Sequence, residues 1–247
     1  HYGFWYADTT SKKDALINQY REIARSCQSQ KGNLILDAGR GVGGASLWLA
    51  KHTRADYVGI TLSSVQLKLA QRWRRKRGLE KRVRFERKNY FLTGFADETF
   101  NHIFGLESFC YAYPQLTDVF AEMYRILKSD GKIIMSDGLL LRRSLNEYEE
   151  KLADDMQYGF KMRGWNTPEE IIAAFEKSGF KNVQYIDRTT CIRKSVKDIY
   201  RLSILASPLC ALRYMGLISR VETEQLLAGN AQKKMYNAQK IVVVTPT

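Results

Sequence analysis

The sequence contains no long run of apolar residues. A helix that crosses a membrane needs about 18 or more such residues in succession, and no stretch of the 247 residues approaches that length. Proline is scarce, with four residues, while 45% of the chain is hydrophobic, so we expect a globular chain and not a disordered one. The length suits one α/β domain with a substantial core. Since the chain begins with His1 and not Met, we expect that an N-terminal piece, with any targeting signal on it, is missing.

Cysteines are few and scattered. The four of them, Cys27, Cys110, Cys191 and Cys210, form neither a CxxC pair nor a cluster with histidine. This spacing argues against a zinc site, so we expect no bound metal. Well-separated cysteines are typical of a reduced, cytoplasmic protein.

Acidic residues are outnumbered by basic ones, 26 to 39, which gives a net charge of +13. Much of the excess lies in residues 67–88, LKLAQRWRRKRGLEKRVRFERK, where only Glu80 and Glu86 oppose it. Three interpretations stay open: a solvated helix face, peripheral contact with an anionic membrane, or a nucleic-acid surface. The last is disfavoured because no stacking-aromatic pattern accompanies the charge. The oligomeric state is left open.

The segment that organises the chain is residues 34–44, LILDAGRGVGG. Its apolar residues are typical of a short buried strand, which the acidic Asp37 closes. The glycines that follow let the backbone turn sharply beside a ligand, and the N–H groups of the next helix would face that ligand. Dinucleotide sites use GxGxxG with an acid about 20 residues further on. Here the spacing is GxGxG, with an acid two residues before the first glycine, so we predict a nucleotide-binding βαβ unit of another kind.

Strands alternate with helices along the rest of the chain. We predict further strands at residues 57–60, 83–87, 101–106, 132–136, 182–190 and 240–245. Helices are predicted at residues 14–27, from residue 63, and at 117–127, 145–160 and 167–179, with a turn at 128–131. This order predicts a doubly wound, mostly parallel α/β sheet of seven strands, with the ligand at the carboxyl ends of the strands. The helix over 145–160 is expected to cross over the site.

The end of the second strand lacks an acid. No acidic residue lies between Asp56 and Glu80, so Thr61 and Gln66 are the polar groups available there to face a ribose. Ser63 and Gln66 are also spaced as a helix capping box, which would give Gln66 a purely structural role.

Four segments carry a resemblance to a known family. LDAGRGVGG, GITLSSVQ, DETFNHIFGLES and EMYRILKSDGKIIMSD occur in the order and spacing of class I S-adenosylmethionine-dependent methyltransferases, which the chain resembles over residues 33–137. HYGFW, GITLSSVQ and LES make it most similar to the group of sterol C24-methyltransferases, tocopherol methyltransferases, geranyl diphosphate C-methyltransferase and cyclopropane fatty acid synthases. The resemblance implies a Rossmann-like fold with helical lid insertions, S-adenosyl-L-methionine as cofactor and S-adenosyl-L-homocysteine as product.

The resemblance also implies a division of the chain and a set of binding residues. An N-terminal leader and helix (1–30) would precede a cofactor-binding core (31–137), with substrate-lid insertions at 138–165 and 191–238. Arg40 departs from the family, since relatives usually have Cys there, and it would either contact the cofactor or point to solvent. Asn89 stands where many relatives have Asp. The implied cofactor-binding residues are Tyr2, Gly3, Asp37, Ala38, Gly39, Gly41, Thr61, Leu62, Gln66, Asn89, Tyr90 and Leu106.

Glu107 matches the carboxylate of an E-S or E-A pair at the end of the fourth strand. Methylation of an alkene leaves a cation that aromatic faces and a carboxylate stabilise, and a base must then remove a proton. Glu107, Tyr111 and Tyr113 are therefore the candidate catalytic residues, although core packing would also explain the aromatic ones.

The segment before the last strand bears on the acceptor. Residues 202–218, LSILASPLCALRYMGLI, are largely apolar and fit either a packed lid or a wall for a greasy substrate near a membrane. Basic residues just before them, Arg193, Lys194, Lys197 and Arg201, would suit an anionic headgroup. We predict C-methylation of a small apolar acceptor of isoprenoid, terpenoid or lipid type. The alternatives are N- or O-methylation of a natural product, an RNA methyltransferase or nucleic-acid-binding protein, and an inactive cofactor-binding scaffold.

Overall fold

The computed structural model describes residues 2–39, 41–205 and 243–244. Arg40 and most of the predicted insertion over 191–238 lie outside these residues. The elements in chain order are α1 (Lys12–Ser26), β1 (Leu34–Ala38), α2 (Gly44–His52), β2 (Asp56–Thr61), α3 (Ser64–Lys76), β3 (Val83–Arg87), β4 (Phe100–Leu106), a 3-10 turn (Phe109–Ala112), α4 (Leu116–Ile126), β5 (Leu127–Ser136), α5 (Glu147–Phe160), α6 (Pro168–Lys177), β6 (Tyr185–Ile186), α7 (Thr189–Leu205) and β7 (Val243–Val244).

The main sheet has five parallel strands in the order β3-β2-β1-β4-β5. The strand order reverses between β1 and β4, which is the place where doubly wound sheets bind their ligands. The α/β class and the parallel sheet are thus confirmed. The prediction of a single seven-stranded sheet is not confirmed, because among the described residues β6 and β7 form a separate antiparallel pair.

Two local predictions are wrong for identifiable reasons. The strand predicted over residues 182–190 shrinks to Tyr185–Ile186, because the Asp187 carboxylate accepts a hydrogen bond from the Thr189 amide (2.7 Å) and turns the chain into α7. The turn predicted over 128–131 is part of β5. In this part of β5 the pairing with β4 is irregular: Phe100 pairs with Leu127, but His102 pairs with Lys132. The extra polar residues therefore lie within the strand as a bulge-like irregularity and do not end it.

The core lies on both faces of the sheet, because neighbouring strand residues point to opposite sides. Ile35 packs with buried residues of α1, α2 and α3, whereas Leu36 packs with those of α4 and α6. The basic segment forms α3 and β3, and within α3 only Ala70 is fully buried. In the part of the chain that the structure describes, no helix combines the length and hydrophobicity that a bilayer crossing requires.

The leader over residues 2–10 has no regular structure but is firmly held. The Phe4 amide donates to the Ala15 carbonyl of α1 (2.8 Å), and the Trp5 amide donates to the Cys191 carbonyl of α7 (2.8 Å). The Phe4 ring is buried with residues of α7. The leader therefore bridges the first and last helices of the described structure.

Thr167 offers a test of how local sequence sets an element. Its side chain accepts a hydrogen bond from the Glu170 amide, and Glu170 reciprocates, so this capping box starts α6. We expect Thr167→Ala to lower the free energy of unfolding by about 1 kcal/mol in urea titrations. Thr190→Ala, an exposed position on α7, should change it by less than about 0.5 kcal/mol. Equal effects of the two substitutions would contradict the capping role.

Candidate active site

The turn after β1 admits only glycine at its first position. Gly39 has φ +85°, and a Cβ there would lie 2.4 Å from the Ser108 Cβ at the end of β4. The Ser108 hydroxyl donates to the Ala38 carbonyl (2.7 Å). The ends of β1 and β4 are therefore locked side by side.

Asp37 and Ala38 are buried behind this turn. The Ser46 hydroxyl of α2 donates to Asp37 Oδ2, which ties the strand to the helix that follows the turn. Because both residues are almost completely shielded from solvent, they shape the turn from behind it.

The turn borders a cavity of about 400 Å³, which we call the turn cavity. It lies at the carboxyl ends of β1, β2 and β4. Its size falls within the roughly 300–1,000 Å³ range of small-molecule sites. The lining residues are Gly39, Gly41, Ile60, Thr61, Leu62, Ser63, Gln66, Lys88, Tyr90, Leu106, Glu107, Ser108 and Tyr111.

Thr61 organises the polar wall of the turn cavity. Its hydroxyl donates to Gln66 Oε1 (2.8 Å) and accepts from the Ser63 amide (3.2 Å). Ser63 caps α3 by accepting from the Gln66 amide (3.2 Å), so that arm of the predicted capping box is present. The Gln66 side chain, however, pairs with Thr61 at the edge of the cavity.

Seven of the twelve predicted cofactor residues line this cavity, and Asn89 is one of the five that do not. Its side chain is exposed and accepts a hydrogen bond from the Phe91 amide (3.1 Å), which closes a small turn after β3. The neighbouring Tyr90 lines the cavity instead, with its ring against Phe91 and Phe109.

Glu107 connects the leader to the sheet. Its Oε1 accepts a hydrogen bond from the Tyr2 amide (2.8 Å), and its own amide donates to the Ser136 carbonyl of β5 (2.8 Å). Glu107 adopts φ +50°, a left-handed conformation that costs about 1–3 kcal/mol in a non-glycine residue and that clusters at functional sites. In this backbone conformation the Glu107 side chain contacts the leader.

The carbonyl of Tyr2 is held as well as its amide. Lys12 Nζ and the Ser195 hydroxyl both donate to it, and Lys12 Nζ also donates to Ser195 Oγ (2.8 Å). The next residue, Gly3, has φ +72°, and a Cβ there would lie 2.6 Å from the Ala15 carbonyl carbon. Gly3 thus lets the leader lie against α1 and borders neither cavity described here.

A second, smaller cavity of about 100 Å³ lies beside the first, and we call it the aromatic cavity. Glu107 and Tyr111 border both cavities, so they form the shared wall. Met156 and Phe160 show that α5 covers this cavity, as the sequence predicts. Its lining residues are Tyr2, Glu107, Cys110, Tyr111, Asp137, Gly138, Met156, Phe160, Met162 and Trp165.

Two tyrosines close in sequence lie in different places. Tyr111 lines both cavities, and partial burial together with nearby acidic groups raises its pKa to about 12. Tyr113 lines neither of them: a Cβ on Gly164 would lie 2.3 Å from its ring, and the Arg143 guanidinium lies 5.8 Å from the ring centre. Tyr111 belongs to the 3-10 turn, whereas Tyr113 follows the end of that turn, and the structure does not bring it to the site.

Known proteins share both the sequence pattern and the fold. Residues 35–131 match the family model of a methyltransferase domain. The chain is 30% identical over 179 residues to 24-methylenesterol C-methyltransferase 2 of Arabidopsis thaliana, covering 72% of this chain and 49% of that protein. It is similar to the structure of a putative sarcosine dimethylglycine methyltransferase from Galdieria sulphuraria (TM-score 0.82, 16% identity, 100% and 91% of the chains). It is also similar to geranyl diphosphate C-methyltransferase from Streptomyces coelicolor A3(2) (TM-score 0.72, 16% identity, 100% and 88%).

The chain belongs to the class I S-adenosylmethionine-dependent methyltransferases. It spans about half the length of the curated relatives it matches.

Asp137 lines the aromatic cavity but is absent from the predicted catalytic set. It is 3% exposed, its Oδ2 accepts from the Phe109 amide (3.1 Å), and within the described residues its Oδ1 has no hydrogen-bond partner. Burial, and to a lesser degree the charge of Glu107, raise its pKa from 3.8 to about 7. The sequence contains a signal for this residue, because Asp137 follows the fifth predicted strand much as Asp37 stands at the end of the apolar run of the first.

The buried Asp137 should make the stability of the protein depend on pH. Because the pKa of Asp137 is raised on folding, the folded state holds a proton that the unfolded state releases, so this residue lowers stability as pH rises from about 4 to 7. We expect Asp137→Asn to be more stable than the wild type at pH 8 by on the order of 3 kcal/mol. The advantage should vanish near pH 4, about where an unfolded aspartate titrates.

Urea titrations at several pH values would measure this difference. Asp155→Asn, an exposed position on α5, serves as the control and should show no comparable pH-dependent gain. A gain for Asp137→Asn that does not change with pH would contradict the buried, neutral carboxyl.

Proposed function

We propose that this chain transfers a methyl group from S-adenosylmethionine to a carbon atom of an isoprenoid or lipid-like acceptor. The observation that carries the proposal is the shared wall: a nucleotide-sized cavity and an aromatic cavity meet at Glu107 and Tyr111. A donor in the first and an acceptor in the second would face each other there. Holding two reactants in such proximity supplies a large part of catalysis in group transfer.

The turn cavity fits S-adenosylmethionine in shape and chemistry. Gly41 presents no side chain, and a Cβ there would meet no atom within 4 Å, so the turn leaves room for a ligand against the backbone. The Thr61–Gln66 pair offers neutral polar groups to ribose hydroxyls, and the Tyr90 ring offers an apolar face to a purine. When bound, the cofactor supplies an electrophilic methyl group attached to a positively charged sulfur.

The aromatic cavity suits an acceptor that becomes positively charged. Tyr111, Phe160 and Trp165 contribute aromatic rings to the lining, and Glu107 and Asp137 contribute carboxyl groups; aromatic rings attract cations. No lysine, arginine or histidine is among the described residues that line it. Tyr2, held at both its amide and its carbonyl, shields the cavity from water. These features would stabilise the cation that follows attack of an alkene on a methyl group.

The same acidic lining favours a second candidate, the methylation of an amine. Two carboxylates in a cavity that no described basic side chain lines would also bind an ammonium group. The putative sarcosine dimethylglycine methyltransferase that shares the fold is named for such amines. Carbon methylation leads because the remaining lining residues are mostly apolar or aromatic.

Product analysis separates the two candidates. The chain would be incubated with methyl-labelled S-adenosylmethionine and geranyl diphosphate, a 24-methylenesterol or sarcosine, and the products examined by mass spectrometry and NMR. We expect the label on carbon of an isoprenoid acceptor. Label on nitrogen alone would establish the second candidate, and no labelled product from any acceptor would count against the proposed function.

The role of Thr61 in cofactor binding is testable without an acceptor. Thr61→Val keeps the shape of the side chain but removes the hydroxyl that orients Gln66 and binds the Ser63 amide. We expect the affinity for S-adenosylmethionine, measured by isothermal titration calorimetry, to fall by about tenfold. The matched control Thr117→Val, on α4 and outside both cavities, should bind as the wild type does. A wild-type affinity for the Thr61 variant would remove this residue from the proposed site.

A further inference from the structure

The aromatic cavity contains two carboxylates whose surroundings differ. Asp137 is almost completely buried and directly follows β5. It borders the aromatic cavity but not the turn cavity. Its Oδ2 is anchored by the Phe109 amide at 3.1 Å, whereas Oδ1 lacks a hydrogen-bond partner among the described residues. A buried polar atom without a partner is uncommon in folded proteins and calls for an explanation.

Glu107, the second carboxylate, is hydrogen-bonded to the leader. Its Oε1 accepts from the Tyr2 amide at 2.8 Å, and the residue borders both cavities. A negative charge at this position strengthens the bond to the leader and favours positive charge in the shared wall. If Glu107 took the proton, its bond to the leader and its attraction for positive charge would both weaken during the reaction.

We propose that Asp137, and not Glu107, takes the proton that the acceptor releases. The inference rests on the proposed function. The π electrons of the acceptor form the new carbon–carbon bond as the bond between methyl and sulfur breaks, and the sulfur keeps that electron pair. A neighbouring C–H bond of the acceptor then supplies its electron pair to a new double bond, and its proton moves to Oδ1 of Asp137. Charge and atoms balance without a further reactant.

The groups that face Asp137 support this role. They come from the leader (Tyr2), from the segment after β4 (Glu107, Cys110, Tyr111) and from the turn after β3 (Tyr90). Burial, then the charge of Glu107, raise the pKa of Asp137 to about 7, while interaction with Cys110 opposes the rise. A base with a pKa near the working pH is the most effective proton acceptor. The pKa values of Tyr2, Tyr90, Cys110 and Tyr111 are all raised above their ordinary values, so Asp137 is the group among these that would titrate near neutrality.

A binding experiment tests the assignment without turnover. The probe is N,N-dimethylgeranylamine, a cation at these pH values that imitates a charged isoprenoid, titrated into the protein with S-adenosylhomocysteine between about pH 5.5 and 8.5. We expect its affinity for the wild type to rise by tenfold or more with a midpoint near 7, while the uncharged analogue geraniol shows no such change. Asp137→Asn should abolish the rise, and Glu107→Gln should weaken binding but keep it.

A further variant tests the assignment without replacing Asp137. Cys110→Ala removes the interaction that favours the charged carboxylate, so the midpoint should move to higher pH. The proposal would be overturned by a wild type that shows no pH-dependent binding of the amine, or by an Asp137→Asn variant that keeps it.

Turnover provides a separate readout. With an acceptor that the wild type methylates on carbon, Asp137→Asn should slow turnover at least a hundredfold and shift the products toward hydrated forms or double-bond isomers. Glu107→Gln should slow turnover without changing the product ratio. An unchanged product ratio in Asp137→Asn would overturn the assignment. A wild type that methylates no carbon acceptor would count against the proposed function, while the amine titration would still decide what Asp137 does.

Discussion

The contact between Gly39 and Ser108 fixes both halves of the site. Since a Cβ on Gly39 would lie 2.4 Å from the Ser108 Cβ, the first turn and the end of β4 can approach only where a glycine stands. The hydroxyl of Ser108 then bonds the Ala38 carbonyl behind the turn. Glu107 directly precedes Ser108, so the same contact that shapes the turn cavity also places the carboxylate of the shared wall. The relative positions of the two cavities therefore depend on one contact, between the ends of β1 and β4.

The leader closes one side of the aromatic cavity, and its position depends on the Gly39–Ser108 contact through Glu107. Tyr2 bonds Glu107 through its amide, and Lys12 and Ser195 through its carbonyl. One peptide segment therefore joins β4, α1 and α7. Because Tyr2 also lines the aromatic cavity, moving the leader would open that cavity and release Glu107 together. Exclusion of water and the orientation of Glu107 are coupled through one residue.

The parts of the site that sequence predicts are those that depend on local pattern. The strand, turn and helix over Leu34–Ala38 and Gly44–His52 follow from a buried run and glycines, and Thr61 and Glu107 follow from their positions at strand ends. Asn89 and Tyr113 do not reach the cavities, because a turn bond to the Phe91 amide holds one and packing near Gly164 holds the other. Neither contact has a signature in the sequence. The missed Asp137 depends on the β4–β5 register, in which Leu106 lies opposite Ser136 and sets the two acids side by side.

Two carboxylates that follow adjacent strands need not do the same work. Glu107 borders both cavities and accepts a hydrogen bond from a backbone amide of the leader. Asp137 is enclosed, and burial raises its pKa to about 7. This difference in surroundings supports assigning the two acids to different steps, Glu107 to hold the leader at the shared wall and Asp137 to move a proton. Because the charge of Glu107 helps to raise the pKa of Asp137, a neutral residue at position 107 would lower that pKa while leaving the carboxyl group of Asp137 in place.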